Sequence, residues 1–541
     1  MAVVTWSRKE FERQLEGIPD LYEKIHLFGT PVESLTNAEL QIEVFQNRPD
    51  LLSMHGFLRS FKAFIGREMG VRKYIVKKPR ENEVVKIDPS VGDVRPFTAC
   101  AIVRGLSLTD EKICDIIAIQ EKLHATLGRN RKRFAIGVYP LEKITFPIVY
   151  EARTPEKIVF VPLDSDHEMN AIQILQKHQT GRMYAHLLEG MTKYPIFIDA
   201  KSHILSMPPI INSNETGKIT EATHDVFIEC SGFQKEILHK TLIILTTMLA
   251  DMGGTIHAIE LQYDKKNSVR MPDLNPEKIK ISLENVNKLL GLTLKEVDLE
   301  KLLPRMGYDY KNRTVIIPPW RMDVIHEVDI IEDIAIAYGY EKFIPEIPNI
   351  YTIGEEDFFE EKRRAFTDTL TGLGFLEIST YHLIKQYEAE TLKKEERIEV
   401  ENARTDYKIL RPNLLIPALR ILAENKDHEY PQKIFEIGVV FEKSDRKEES
   451  KIKETRHLLI ASSSGNFTTM KQILDYISHV FALSLTLKES MHPSLIRGRT
   501  ATIFAEKRAV GYIGECHPET LRDLSIKMPV AVIELSLDEI L

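Results

Sequence analysis

The sequence predicts an α+β protein of several domains, in which sheets are covered by helices. Three observations carry that prediction. The chain has 541 residues, the length of about three to four domains. Its middle alternates short apolar strands with segments of helical period. Its last part sets one long amphipathic helix beside many strands, an order that suits an antiparallel sheet with helices rather than a βαβ series.

Taken from the N-terminus, a short strand precedes Ser7 and Glu10, whose spacing is that of a capping box for a helix carrying Phe11 and Leu15. Residues 42–45 alternate like a strand. Pro49 then forbids helix for Arg48, and Asp50 is placed to cap a helix running through Leu58, Phe61, Phe64 and Ile65. Strands are expected at 99–103, 134–139 and 194–199, and the longest helix at 110–127, with Ile113, Ile116, Ile117 and Leu123 on one side and a stop at Gly128. The basic run 129–133 that follows suits phosphate contact and equally a solvated loop. Residues 242–250 are the most apolar run, too short to span a bilayer and so read as a core helix.

From 275 to 345 the pattern is two short helices, a strand ending at Pro318 and Pro319, and a third helix, a small winged-helix-like unit. Ser282 caps its first helix, Gly291 ends it, and Pro304 interrupts the second. Beyond 351 come a helix over 358–373 and strands at 433–441, 500–504 and 509–513. The charged stretch 442–454 reads as a solvated loop. No internal repeat or low-complexity segment is visible.

Composition narrows the function classes. With 43% apolar and 28% charged residues the chain is ordinary for a soluble protein. Its 72 basic and 80 acidic residues give a net charge of -8, so attraction to a phosphate backbone must come from local patches. Cys100, Cys114, Cys230 and Cys516 form no CxxC pair, which argues against a disulfide framework or a structural zinc site and for a reducing cytoplasm. The N-terminus has no basic region followed by an apolar core, so neither a secretory signal nor a membrane partner is expected.

The densest candidate site is the segment 320–333. Ile331, Ile334, Ala335 and Tyr338 make one apolar stripe, while Asp329, Glu332 and Asp333 share an arc of about 100° on the other side, with Asp323 in the turn before able to bend over it. Oxygen-only ligands suit a hard cation, Mg²⁺ above all. The same acids also favour a helix start through its dipole alone, and spacing does not separate the two readings.

Six runs in order then carry a resemblance: Asn-Arg-Pro-Asp (47–50) with Gly56, Gln-Glu-Lys-Leu-His (120–124) followed by Leu-Gly-Arg-Asn-Arg (127–131), Pro-Pro-Ile-Ile-Asn-Ser (208–213), residues 321–333 with Tyr-Gly-Tyr (338–340), Ile-Phe-Glu-Ile-Gly (434–438) and Gly-Glu-Cys-His-Pro (514–518). Over nearly its whole length the chain resembles the β subunit of phenylalanyl-tRNA synthetase in its shorter archaeal and eukaryotic form. The resemblance implies an N-terminal α+β domain over 1–72, an editing domain over 73–268, a winged-helix domain over 269–347 and a class II synthetase-like antiparallel core over 348–541. It implies an α subunit as partner in an (αβ)₂ heterotetramer, tRNA(Phe) as substrate, and Mg²⁺ held by Asp323, Asp329, Glu332 and Asp333 at a site shared with that partner.

It further implies hydrolysis of mischarged tyrosyl-tRNA in the second domain, with Asn212, Ser213, Thr223, His224 and Glu229 as candidates, and ATP use at the partner subunit. The residues agree on the last point. No Phe-Arg-x-Glu motif and no glycine-rich segment ending in arginine occurs, and Arg497 to Arg499 is the nearest approach. The runs at 401–405 and 411–414 depart from the family pattern, and Asn413 stands where that pattern has serine. Two other readings are a free-standing tRNA editing hydrolase or tRNA-binding protein, and a regulatory relative that binds a small ligand without RNA.

Overall fold

The computed structural model describes residues 2–263, 268–391, 397–444 and 450–541. These pack as two units, Met1–Ile347 and Pro348–Leu541.

The first unit opens with a three-stranded antiparallel sheet in the order Ala2–Ser7, Glu39–Val44, Val32–Leu35. The Ser7 hydroxyl accepts the Glu10 N–H and starts the helix Arg8–Gln14. The next long helix, Met54–Phe64, is capped by Ser53 and not by Asp50. Asp50 is instead buried in the short turn Pro49–Leu51, where it pairs with Arg48 at 2.8 Å. A carboxylate removed from water needs a cation more than a helix start needs this particular cap. Phe57 of that helix is fully buried against the rings of Trp6, Phe11, Phe28 and Phe61.

Among the described residues, 76–271 form two large sheets and a two-stranded one, Val159–Phe160 with Met169–Asn170. One has five strands in the order Val76–Lys77, Thr255–His257, Phe97–Arg104, Val226–Gly232, Phe134–Pro140. The other has seven, mixing parallel and antiparallel pairs, with Ile211–Asn212 at one edge and Ser268–Met271 at the other. The helix expected at 110–127 runs Asp110–Ala125, ending where the Thr126 hydroxyl donates to the Lys122 carbonyl at 2.7 Å. Among the described residues the longest helix is Lys235–Asp251, whose buried face from Leu242 to Leu249 packs on the five-stranded sheet.

Between 277 and 338 a small three-stranded sheet, in the order Glu277–Lys280, Thr314–Ile317, Asp309–Lys311, carries the helices Leu283–Leu290, Glu296–Arg305 and Glu327–Tyr338. Ser282 caps the first, and Gly291 ends it with φ 66°, in the left-handed region open to glycine. The strand at 277 is mostly exposed and that at 309 only three residues long, so they carry no apolar alternation for a sequence reading to find.

The three domains expected within this unit share one continuous apolar core, which contains Phe57, Leu242, Tyr308 and Ile331 together. Buried ions cross the same boundaries. Arg59 pairs with Asp251 at 2.7 Å, donates to the Tyr74 hydroxyl at 3.0 Å and stacks over Trp320 at 4.1 Å.

The second unit is a seven-stranded sheet in the order Leu376–Glu377, Lys433–Lys443, Ile452–Ser463, Val530–Ser536, Arg508–Cys516, Leu495–Ala505, Leu485–Glu489, antiparallel apart from its first pair. Strand period places Leu458 and Ile460 against the helices Phe358–Gly372 and Phe467–Val480, and Leu459 and Ala461 against Leu415–Glu424. The loop expected at 442–454 is shorter than its charge suggests, because strands reach Lys443 and resume at Ile452; residues 445–449 lie outside the described set.

Replacing Asp251 with Ala strands the Arg59 charge in the core and should lower the stability of the first unit by about 3–5 kcal/mol. Arg13→Ala, which breaks the exposed pair with Glu10, should cost less than about 1 kcal/mol. Denaturant midpoints of the two variants measure the contrast, and equal losses would refute it.

Candidate active site

The strongest constellation lies where the edge strand Phe134–Pro140, the helix Asp110–Ala125 and the turn at Pro208 and Pro209 enclose a cavity of about 420 Å³. Its walls are mainly apolar, with Ile113, Ile117, Ile136, Val138 and Ile210 among them, and Asn212 and Glu229 bring polar atoms to it. Glu229 sits mid-strand, directly opposite Gly137 in the antiparallel pair. Only glycine fits there. A Cβ at position 137 would come within 2.1 Å of the Tyr139 hydroxyl oxygen and 2.7 Å of Glu229 Oε1.

The Tyr139 hydroxyl is the hub of the polar cluster. It lies 2.8 Å from Ser206 Oγ, 3.2 Å from Glu229 Oε1 and 3.4 Å from Asn212 Oδ1. A phenol has one proton and cannot donate to three acceptors at once. Burial pushes the Glu229 carboxyl up to about 8, against the smaller pull of the Tyr139 hydrogen bond, of the Arg95 charge and of the neighbouring Ser231 hydroxyl. Below that pH Glu229 is a neutral acid, and its Oε2 is buried with no hydrogen-bond partner among the described residues. A buried acid with one unsatisfied oxygen is equipped to hold a polar group of a ligand that is otherwise apolar.

The rim is held by a second set of residues. His124 Nε2 accepts the Ile136 N–H at 2.8 Å, which places the ring proton on Nδ1, 3.4 Å from Glu121 Oε1. Arg131 donates to the Ile210 carbonyl and to Glu121 Oε1, both at 2.9 Å, and stacks over Tyr184. The hydrogen bond from His124, together with the Arg131 charge, holds the Glu121 carboxyl down to about 2.

Of the five candidates for hydrolysis, Asn212 and Glu229 line this cavity. Ser213 caps a short helix, its hydroxyl accepting the Glu215 N–H. Thr223 is buried in a turn and accepts the Thr220 N–H, and His224 is exposed with Nδ1 at 3.0 Å from the Leu106 carbonyl. Tyr139, Ser206 and Arg131 were not singled out as site residues by the sequence. Arg131 and His124 do lie in the run 120–131 that carries the resemblance, whereas Tyr139 and Ser206 sit in ordinary strands with no such mark.

The acidic helix start distributes its carboxylates differently from the expected four-ligand set. Asp323 takes both its oxygens to Arg321, at 2.8 and 2.7 Å. Asp333 accepts from the same guanidinium at 2.7 Å and from the Tyr308 hydroxyl. Asp329 Oδ2 accepts the N–H groups of Ile325 and His326 and so fixes the helix start, and Glu332 is exposed. Burial pushes the Asp323 carboxyl up, and the charges of Arg321 and Arg48 more than offset it, leaving it below its ordinary range. Among the described residues no group of three or more His, Cys, Asp or Glu side chains is placed to hold a metal ion. Asp323 and Asp333 therefore do not fit as free ligands, because both are already engaged by the Arg321 guanidinium. Asp329 and Glu332 fit the one or two protein carboxylates that Mg²⁺ takes when it keeps most of its waters.

A phenylalanine–tRNA ligase beta subunit from Archaeoglobus fulgidus is 36% identical, over 99% of this chain and 98% of its own length. The chain belongs to the phenylalanine–tRNA ligase beta subunit family. A relative from Methanocaldococcus jannaschii with the same description is 36% identical over 95% of both chains. The family model of the phenylalanyl tRNA synthetase beta chain CLM domain matches residues 344–537, and that of the tRNA synthetase B5 domain matches 279–340. An N-terminal fragment of the phenylalanyl-tRNA synthetase beta subunit from Pyrococcus horikoshii superposes with a TM-score of 0.59 at 34% identity, covering 62% of this chain and 99% of that one. Membership of this family fits the mixed α+β architecture of several sheets, and among the described residues no helix is long and apolar enough to cross a membrane.

The raised Glu229 carboxyl makes stability depend on pH. Below its ordinary value of 4.5 the group is protonated in both folded and unfolded chains, and between 4.5 and about 8 only the unfolded chain loses the proton. Stability is therefore fully present below 4.5 and declines as pH rises through 8, by a few kcal/mol at about 1.4 kcal/mol per pKa unit. Glu229→Gln should flatten this decline. Denaturant midpoints of parent and variant at pH 5 and pH 8.5 test it, and parallel pH profiles would refute it.

Proposed function

We propose that this chain is the β subunit of a phenylalanine–tRNA ligase, that it works with an α subunit in an (αβ)₂ assembly, and that the Glu229 cavity hydrolyses tRNA mischarged with tyrosine. The observation that carries the editing reading is the neutral Glu229 carboxyl with its unpaired Oε2 at the end of an apolar cavity. Phenylalanine and tyrosine differ by one hydroxyl, and an apolar synthetic pocket rejects the added hydroxyl by only about a hundredfold. A second site that hydrogen-bonds the hydroxyl discriminates far better, because phenylalanine would leave its polar atoms unpaired. Glu229 Oε2 is that atom here. The ring of the amino acid lies between Ile113, Ile136 and Ile210, and Asn212, whose Oδ1 faces Tyr139, keeps its Nδ2 to donate toward the ester or an attacking water.

Aminoacylation belongs on this reading to the α subunit, which also uses the ATP. The buried ionic groups of the C-terminal sheet are already engaged by partners within it. Arg411 is fully buried against Glu436 at 2.7 Å and the Val439 carbonyl at 2.8 Å, and Glu534 receives Tyr512 and His457. Arg499 is engaged by Glu515 at 2.6 Å. A partner is supported by the apolar run in which Ile347, Ile350, Tyr351 and Ile353 are each more than three-quarters exposed. For the acidic helix start, Mg²⁺ held by Asp329 and Glu332 and completed by the partner would supply a fixed positive charge between subunits.

Glu229→Ala should slow clearance of tyrosyl-tRNA by the complex at least about tenfold while phenylalanine charging keeps its rate, and Asn212→Ala should act in the same direction. Clearance at the parental rate in both variants would remove the cavity from the reaction.

Charging of tRNA with phenylalanine should need both this chain and its α partner. The double variant Asp329→Asn with Glu332→Ala, which keeps an acceptor at the helix start, should weaken the Mg²⁺ dependence of subunit association read by sedimentation. Charging by one chain alone, or association that responds to Mg²⁺ as in the parent, would each remove the corresponding part of the proposal.

A further inference from the structure

A second cavity, of about 620 Å³, shares the 129–133 loop with the Glu229 cavity. It is lined by Arg95, Arg129, Lys132, Arg133, His186 and Phe233 together with the start of the Lys235–Asp251 helix, and no carboxylate lines it. Among the described residues no acid lies within ion-pair distance of Arg129, Lys132 or Arg133, although the neighbouring Arg131 is paired with Glu121. Three uncompensated cations converging on one concavity are unusual in a chain whose net charge is -8.

The rest of the wall complements an anion. Gln234 begins the Lys235–Asp251 helix without a side-chain cap, so the first N–H groups of a 17-residue helix are left for other acceptors. Glu236, the acid of that first turn, is not part of the cavity wall. Phe233 is 44% exposed, unusual for a large apolar ring, and is steadied by the Arg95 guanidinium 5.3 Å from its centre, which is itself fixed by hydrogen bonds to the Ser231 carbonyl at 3.1 and 3.0 Å.

The loop between the cavities is a fixed divider. Arg129, Asn130 and Arg131 all have positive φ, between 49° and 64°, and backbone hydrogen bonds from Arg131 to His124 and from Arg133 to Gly128 close it. The left-handed turn sends the Arg131 side chain to the Glu229 cavity and those of Arg129, Lys132 and Arg133 to the basic one. A ligand with an aminoacyl group in the first cavity and a polyanionic chain leading away from it would meet the three cations next.

We propose that the basic cavity grips the phosphates of the unpaired RNA nucleotides that precede an aminoacylated 3′ end, with one base stacked on Phe233. The proposal rests on the editing reading of the Glu229 cavity and adds the path by which its substrate arrives. Phosphates alone would explain the cations; the exposed ring beside them selects single-stranded RNA, because only unpaired bases offer a face for stacking.

The test is binding of a fluorescent RNA hairpin with four unpaired 3′ nucleotides, and of the same hairpin with a blunt end, to the full chain over a series of salt concentrations. In the triple variant Arg129→Ala, Lys132→Ala, Arg133→Ala, affinity for the tailed hairpin should fall about tenfold or more, with a salt slope lower by about two, while the blunt hairpin changes little. Phe233→Ala should weaken the tailed hairpin about tenfold and leave the salt slope unchanged. Parental affinity and slope in the triple variant would overturn the proposal, and so would equal weakening of both hairpins, which would mean a duplex contact. Hydrolysis of a tyrosyl ester of adenosine, which has no phosphate, by the parent chain reports the Glu229 cavity separately. Its absence would overturn the editing reading, whereas unchanged RNA affinity overturns only the proposal about the basic cavity.

Discussion

Arginines buried almost completely impose the constraint on which the first 347 residues depend. Arg59 and Arg321 are 6% and 3% exposed, and a guanidinium in that position must find carboxylates and hydroxyls or cost several kcal/mol. Arg59 finds Asp251 and Tyr74, and Arg321 finds Asp323, Asp333 and the face of Tyr308. Trp320, next to Arg321 in the chain, lies under Arg59. Asp251 lies 192 residues from Arg59 in the chain, and Trp320 lies further on beside Arg321, so satisfying these charges ties three sequence regions to one core. The same demand decides the fate of the acidic helix start, since two of its four carboxylates are engaged by Arg321.

The Glu229 cavity depends on a different use of burial. Here a carboxyl is removed from water without a cation close enough to hold it charged, and the group responds by keeping its proton. Gly137 makes that possible by leaving space across the strand pair, and Tyr139, itself bonded to Ser206, meets one oxygen of the acid while the other stays open. Arg321 and Glu229 thus show two answers to the same desolvation cost: a charge that is paired becomes structural, and a charge that is surrendered becomes a hydrogen-bonding tool.

The two cavities also account for the basic run at 129–133, which composition alone leaves between a solvated loop and a phosphate contact. Its residues do not act as a single patch. A left-handed turn splits them, so that Arg131 braces the rim of one cavity through Glu121 and the Ile210 carbonyl while its neighbours remain unpaired around another. Net charge is a poor guide in such a molecule, because a total of 80 acids says nothing about one concavity whose described lining has none.

Local rules written in the sequence determined much of the architecture. Ser7 and Ser282 cap the helices they were expected to cap, Gly291 ends one, and Ile331, Ile334 and Ala335 of the apolar stripe are buried as its period requires, with Tyr338 half-buried, because each of these depends on neighbours within a turn or two. The order of motifs was also enough to indicate the family. Only the tertiary structure decided which polar residues share a site. Asp50 left its expected capping role for Arg48, Asp323 and Asp333 turned to Arg321, and Thr223 and His224 stayed outside the cavity that Glu229 enters from the same segment. Tyr139 and Ser206, which make that cavity polar, are indistinguishable in sequence from other strand residues. Capping and periodicity are settled within a few residues, whereas desolvation is set by everything that packs around a group, and that packing is brought together by contacts from across the whole chain.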